Sequence, residues 1–303
     1  MWTPKLLMMN GELVPFADAR LHPLSLAVTY ATTVFEGVRA YHVEKTGQFA
    51  LFRLDEHMRR LQVGMKLLRM DRSYDTQYML ESLTKLIRAN EPDSDVYVRL
   101  LVYVEGTGLM ATTGPVGFTA AAMPREKPKF AETGMSLGVS SWHRLDDNAS
   151  PPRIKSTANY HNARLAALQA KSDGYDGALM LTAGGKVSES PIACFFMVRD
   201  GQLITPSKSS GILESITRDT IITRYRELTG KQVEERVIDR SELYFADEAF
   251  LCGTGQEIIP VVKIDRFAVG DGAVGPLTRK LSQDYFDLVR GINAEHSEWR
   301  TLI

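Results

Sequence analysis

The chain has 303 residues, 24% of them charged and 44% hydrophobic, with a formal net charge of −1. That length allows about two domains with a well-buried core, and the near-neutral balance excludes a global field favouring nucleic acid or an anionic membrane. The two cysteines, Cys194 and Cys252, stand in apolar runs and read as buried thiols in a reducing compartment. No apolar run reaches the ~20 residues of a bilayer span, and the start lacks a signal-peptide core, so a cytoplasmic protein without membrane or nucleic-acid partners is expected.

In chain order, Asn10-Gly11 between apolar runs predicts a hairpin over residues 6–16. A strand follows at 49–54, then amphipathic helices at 56–68 and 75–90, then strands at 96–104 and 116–123. Residues 124–132 (PREKPKFAE) are polar and carry two prolines, which marks a linker. It divides a smaller domain, 1–124, from a larger one, 133–303, with the linker proper at 125–132. Beyond it the pattern predicts a strand at 135–141, an Ala/Leu-rich helix at 159–171, short strands at 177–182, 194–198 and 249–252, and a helix at 215–228. This is an α+β pattern with mixed or antiparallel sheets, since strands and helices do not alternate strictly.

Several local features fit a phosphorylated, electron-poor cofactor. A glycine-bearing loop (SSGILES) leads into a helix start at Ser215-Ile216-Thr217, which offers backbone N–H groups, two hydroxyls and a positive dipole end. Ordinary N-capping by Ser215 is the plainer explanation. Gly253-Thr254-Gly255 forms a second small-residue turn. Lys155 precedes a helix and is followed by small residues; most lysines are simply exposed, and a Schiff-base lysine must be able to lose its proton. Glu189 adjoins a very apolar run, so it needs a cationic partner if buried, either a pyridinium nitrogen or an arginine. Other templates fail. Gly185-Lys186 ends like a P-loop, but Met180 and Val187 stand where Gly and Ser/Thr belong, and the six histidines show no metal-ligand spacing, so no metal is expected.

With these residues in view, the chain resembles the fold type IV pyridoxal-phosphate enzymes, and within them the branched-chain aminotransferases. The resemblance runs through most of the length: 30–41 (YATTVFEGVRAY), 52–61 (FRLDEHMRRL), Lys155 with Asn159-Tyr160, 174–176 (GYD), 187–189 (VSE), 205–206 (TP), 211–218 (GILESITR), 246–250 (ADEAF), 253–257 (GTGQE) and 275–278 (GPLT). It implies two α/β domains with the active site between them, pyridoxal 5′-phosphate as cofactor, a homodimer, and ping-pong transfer of an amino group from an L-amino acid to 2-oxoglutarate. Lys155 would be the catalytic residue, holding the cofactor as an aldimine and shuttling the proton. Tyr160 would bond the phenolic oxygen and Glu189 the pyridine nitrogen. Arg60, Ile216, Thr217 and Thr254 would hold the phosphate, with Leu213 and Ser215 in the same cofactor-binding stretch. Tyr30, Phe35, Gly37, Arg39, Tyr97 and Arg99 would form the substrate pocket, with Tyr97, Arg99 and the Thr254-Gly255 turn on the substrate carboxylate and Arg39 in reach of a γ-carboxylate.

The chain departs from the family pattern at Arg99-Leu100, residues 105–113, Met123 to Glu126, Ile192-Ala193-Cys194 and Gly255-Gln256. Most of these abut the expected substrate pocket, so the alternatives are an R-selective amine transaminase or a pathway-specific enzyme of the same fold with a larger substrate.

Overall fold

Asn10 and Gly11 turn the chain as their residue types require, with φ of 50° and 93°, in the left-handed region that Asn and Gly enter at least cost. They join β1 (Leu6–Met9) to β2 (Glu12–Pro15) in an antiparallel hairpin. This is a computed structural model, which describes residues 3–44 and 46–303. The chain forms two compact units, the first running to Glu126 and taking in Ile154–Ala158 and Leu288–Ile303, the second comprising Lys127–Arg153 and Asn159–Asp287. A single division at 125–132 therefore does not describe the molecule. Ser156 bridges to Val34, and the C-terminal strand Arg300–Leu302 pairs with a strand of the first unit, so both segments leave the larger domain expected for them.

The first unit continues with α1 (Leu26–Thr29), β3 (Thr33–Val43), β4 (Gln48–Phe52), α2 (Leu54–Leu67), α3 (Thr76–Asn90), β5 (Val96–Val104) and β6 (Val116–Pro124). Its seven-stranded sheet runs C-terminal strand, β4, β3, β5, β6, β1, β2, every pair antiparallel. The strand expected over 49–54 ends at Phe52 because Leu54 already opens α2. Asp75 caps α3 by accepting the Tyr78 amide at 2.8 Å. One face of the sheet, through Val34, Val38, Val98, Leu100, Val102 and Phe118, packs on Met58 and Leu61 of α2 and on Met79, Leu83 and Ile87 of α3. Strand alternation then places Phe35, Gly37 and Arg39 on the opposite face, across from Leu101, Arg99 and Tyr97 of β5.

The second unit contains β7 (Met135–Val139), α4 (Thr157–Ser172) from Asn159 on, β8 (Gly177–Leu179), β9 (Cys194–Arg199), β10 (Gln202–Pro206), α5 (Ile216–Thr229), β11 (Glu234–Arg236), β12 (Glu248–Gly253), β13 (Glu257–Ile264), β14 (Phe267–Ala268) and α6 (Pro276–Val289) up to Asp287. Its sheet is mixed, in the order β11, β10, β9, β12, β13, β7, β8, with β14 on β13. The β10/β11, β13/β7 and β7/β8 pairs are parallel. The architecture is thus α+β, as the alternation pattern predicted. Among the described residues no helix is long and apolar enough to cross a membrane.

Candidate active site

In the first unit Lys155 is held by its backbone. The Phe35 N–H donates to the Lys155 carbonyl at 2.9 Å, Ser156 bridges to Val34, and the Lys155 ammonium sits 4.7 Å from the centre of the Phe35 ring. Lys155 is thereby registered against β3, the strand that carries Glu36 on its helix-facing side. Glu36 is fully buried and receives three donors: Arg60 Nε at 2.6 Å, Arg60 Nη2 at 2.8 Å and His57 Nδ1 at 2.7 Å. Burial would raise the Glu36 carboxyl, but the charges and bonds of Arg60 and His57 outweigh it and hold it at about 2. Burial lowers His57, partly offset by Glu36, with Arg60 and Lys155 pushing the same way as burial. His57 is thus neutral near pH 7, and its Nδ1 carries the proton that Glu36 accepts.

The expected substrate residues Phe35, Gly37, Arg39, Tyr97 and Arg99 share the sheet face away from α2 and α3. Gly37 is required there: a Cβ at this position would lie 1.9 Å from the Tyr97 hydroxyl, so only hydrogen leaves room for the ring. The Arg99 guanidinium is exposed and lies 5.8 Å from the Tyr97 ring centre. Arg39 is buried on that face. It is 1% exposed, donates to the Arg125 carbonyl at 3.0 Å and stacks 5.4 Å over Tyr41. Tyr30, just after α1, is about half exposed.

In the second unit Glu189 is buried, and its Oε1 accepts Arg144 Nη2 at 2.5 Å and the Leu213 amide at 3.2 Å. Its Oε2 receives the Cys194 thiol at 3.6 Å. Burial and the neighbouring Glu189 push that thiol well above its usual range, so it is a neutral, weak donor. Arg144 is itself buried and donates through Nε to the Gly211 carbonyl at 3.2 Å. The cation that Glu189 needed is therefore Arg144, a loop residue that no sequence pattern singled out. Ser215 caps α5, its hydroxyl accepting the Arg218 amide at 3.3 Å. The Ile216 and Thr217 amides precede it in the first turn, where a helix has no internal acceptors. Tyr160 lies in the first turn of α4, and Thr254 and Gly255 form the turn between β12 and β13.

Sequence reasoning also missed Glu36 and His57 as a working pair. Glu36 stood inside the quoted 30–41 motif, but a glutamate in a strand carries no sign of what it faces.

Within the second unit, the acceptor-only buried carboxylate of Glu189 suits a ring N–H and the N-terminal turn of α5 suits an anion; within the first, Lys155 is fixed at its backbone. The model of the family described as amino-transferase class IV matches residues 33–264. A probable branched-chain-amino-acid aminotransferase of Aquifex aeolicus is 37% identical over 296 residues, spanning 96% of this chain and 94% of the relative. The crystal structure of a branched-chain amino acid aminotransferase from Thermobaculum terrenum in its pyridoxal-phosphate form has a TM-score of 0.93 and 41% identity, covering 99% of this chain and 98% of that one. A T.th. branched-chain amino acid aminotransferase, solved with N-(5′-phosphopyridoxyl)-L-glutamate and with 4-methylvaleric acid, has a TM-score of 0.92 and 34% identity, covering 99% of each chain. The chain belongs to the class IV amino-transferases. It is an aminotransferase that uses pyridoxal 5′-phosphate and acts on small molecules.

Proposed function

We propose that the protein is a cytoplasmic, homodimeric branched-chain aminotransferase, moving the amino group of L-leucine, L-isoleucine or L-valine to 2-oxoglutarate by ping-pong kinetics. The observation that carries the substrate reading is the single sheet face bearing Phe35, Gly37, Tyr97 and Arg99. It joins an apolar wall to one exposed guanidinium. The T.th. relative, captured with both a glutamate adduct and a branched aliphatic acid, supports a pocket for both substrate types.

The cofactor, when bound, supplies an electron-poor ring that accepts the electron pair released when the substrate's Cα–H bond breaks. The chain's residues do the rest. Lys155 Nζ holds the cofactor and moves the proton at Cα, from a backbone pinned to β3. Glu189 keeps the ring nitrogen protonated; Arg144 and the Leu213 amide orient the carboxylate for it. Tyr160 bonds the phenolic oxygen. Arg60, the amides of Ile216 and Thr217, and Thr254 bind the phosphate, with Leu213 and Ser215 beside them. Phe35, Tyr30 and Tyr97 line the side-chain pocket and exclude water, and Gly37 lets the Tyr97 ring lie close to the strand. Arg99, rather than the buried Arg39, binds a substrate carboxylate as a two-pronged donor, aided by Thr254 and Gly255.

The homodimer rests on the resemblance and on an exposed apolar patch in the first unit. The Ser25–Thr107 bridge and the Leu26 amide on the Gly106 carbonyl, at 3.1 Å, bring Leu24 and Val28 alongside the segment bearing Leu109 and Met110, all four exposed. Sedimentation at one protomer's mass would contradict it. The substrate reading is tested by comparing kcat/KM for a panel of amino donors with 2-oxoglutarate. The three branched-chain amino acids lead the panel on this reading. A non-carboxylated amine outperforming every L-amino acid would replace it with an amine transaminase.

A further inference from the structure

The buried trio on the helix side of β3 has more structure than an ion pair needs. Three donors converge on one carboxylate: Arg60 offers two parallel nitrogens, at 2.6 and 2.8 Å, and His57 adds a third at 2.7 Å. Only an acceptor-only group satisfies three donors at once, which excludes an amide or a hydroxyl at position 36. The side chains of Glu36 and His57 are 0% and 1% exposed and that of Arg60 is 13%, so the fork operates where water competes little. A guanidinium bonded through two nitrogens has its plane fixed, whereas one bonded through a single nitrogen swings.

We propose that Glu36, steadied by His57, is a positioning residue that fixes the Arg60 guanidinium in the orientation in which it binds the cofactor's phosphate. This rests on the reading that Arg60 holds that phosphate. Glu36 itself does not touch the anion; it acts through Arg60. Simple charge predicts the reverse effect. A carboxylate near a phosphate repels it, so removing the charge would strengthen phosphate binding if orientation were unimportant. The two accounts therefore differ in sign.

Glu36→Gln separates them. The glutamine carbonyl can accept one Arg60 N–H, and the amide can donate to His57 once that ring inverts its tautomer, so His57 keeps a partner while the second Arg60 nitrogen loses its acceptor at position 36. The readout is a ratio: the affinity of the full-length chain, freed of cofactor, for pyridoxal phosphate divided by its affinity for unphosphorylated pyridoxal, by fluorescence titration. A merely structural weakening lowers both affinities and leaves the ratio unchanged. Arg60→Ala should lower the ratio about 10- to 100-fold, the range for a lost charge-assisted hydrogen bond. Glu36→Gln should lower it at least about fivefold, and the double variant should fall no further than Arg60→Ala alone, since both act through one group. Arg60→Lys keeps the charge without the fork and tests the same point with Glu36 in place, so it decides the matter if Glu36→Gln does not fold; it too should lose most of the ratio. An unchanged or raised ratio in Glu36→Gln, or a wild-type ratio in Arg60→Lys, overturns the positioning role while the phosphate assignment stands. An unchanged ratio in Arg60→Ala overturns the phosphate assignment itself.

Discussion

Replacing Arg144 with methionine keeps most of its volume and removes the cation that faces Glu189. In the wild-type chain Glu189 Oε1 is held by Arg144 at 2.5 Å and by the Leu213 amide at 3.2 Å, and Oε2 by the Cys194 thiol at 3.6 Å. The variant removes that cation from a buried carboxylate that keeps the Leu213 amide and the weak Cys194 thiol among its partners. Removing one partner of a buried ion pair costs about 3–5 kcal/mol, and the remaining amide favours the lower end. At about 2–4 °C per kcal/mol for a domain of this size, the cofactor-free variant should melt roughly 6–12 °C below wild type. With the cofactor bound, the protonated ring nitrogen assigned to Glu189 replaces part of the lost charge, so the deficit should shrink to less than half. Thermal unfolding of both proteins, each with and without cofactor, measures the four values. Equal deficits in the two forms would mean that Glu189 does not face the ring, and a deficit under about 2 °C in the cofactor-free form would mean that the pair is not the buried anchor described.

Two further outcomes follow from the first unit. Gly37→Ala places a Cβ 1.9 Å from the Tyr97 hydroxyl and displaces that ring; kcat/KM for L-leucine should fall about 10- to 100-fold with cofactor content unchanged, and a wild-type value would remove Tyr97 from the pocket. Glu36, held at about 2 in the fold against 4.5 as its ordinary value, contributes about 3 kcal/mol that is present above pH ~4.5 and lost as pH falls towards 2. His57, lowered from 6.5, acts in the same sense, because below that pH the unfolded chain binds a proton that the buried ring resists. Urea midpoints should therefore fall between pH 8 and pH 5, and His57→Asn should flatten the dependence; an equally steep variant would place the titration elsewhere.

What could be read in the sequence depended on whether a residue's role is local. The Asn10-Gly11 hairpin and the Ser215 cap rest on conformational and hydrogen-bonding preferences of a few adjacent residues, and both were legible. The strand β3 was not read as a strand: nine of its eleven residues are buried, Glu36 and Arg39 among them, so no polar–apolar alternation marks it. β13 carries Pro260 in its middle, which argues against a strand, and α6 depends on Glu248, far off in sequence, to bond the amides of Leu277 and Thr278 at 3.0 and 2.7 Å. The candidate site divides in the same way. Lys155, Glu189 and the α5 start stood in recognisable local contexts. Arg144 reaches Glu189 across 45 residues, and Arg60 reaches Glu36 across 24, pairings that only the folded chain creates.

We propose that this aminotransferase carries pyridoxal phosphate on one particular lysine. Borohydride reduction of the purified protein, followed by peptide mapping, tests it most directly. The phosphopyridoxyl mass should appear on the peptide containing Lys155 and vanish in Lys155→Ala, while the same label on any other lysine would contradict the site assigned here.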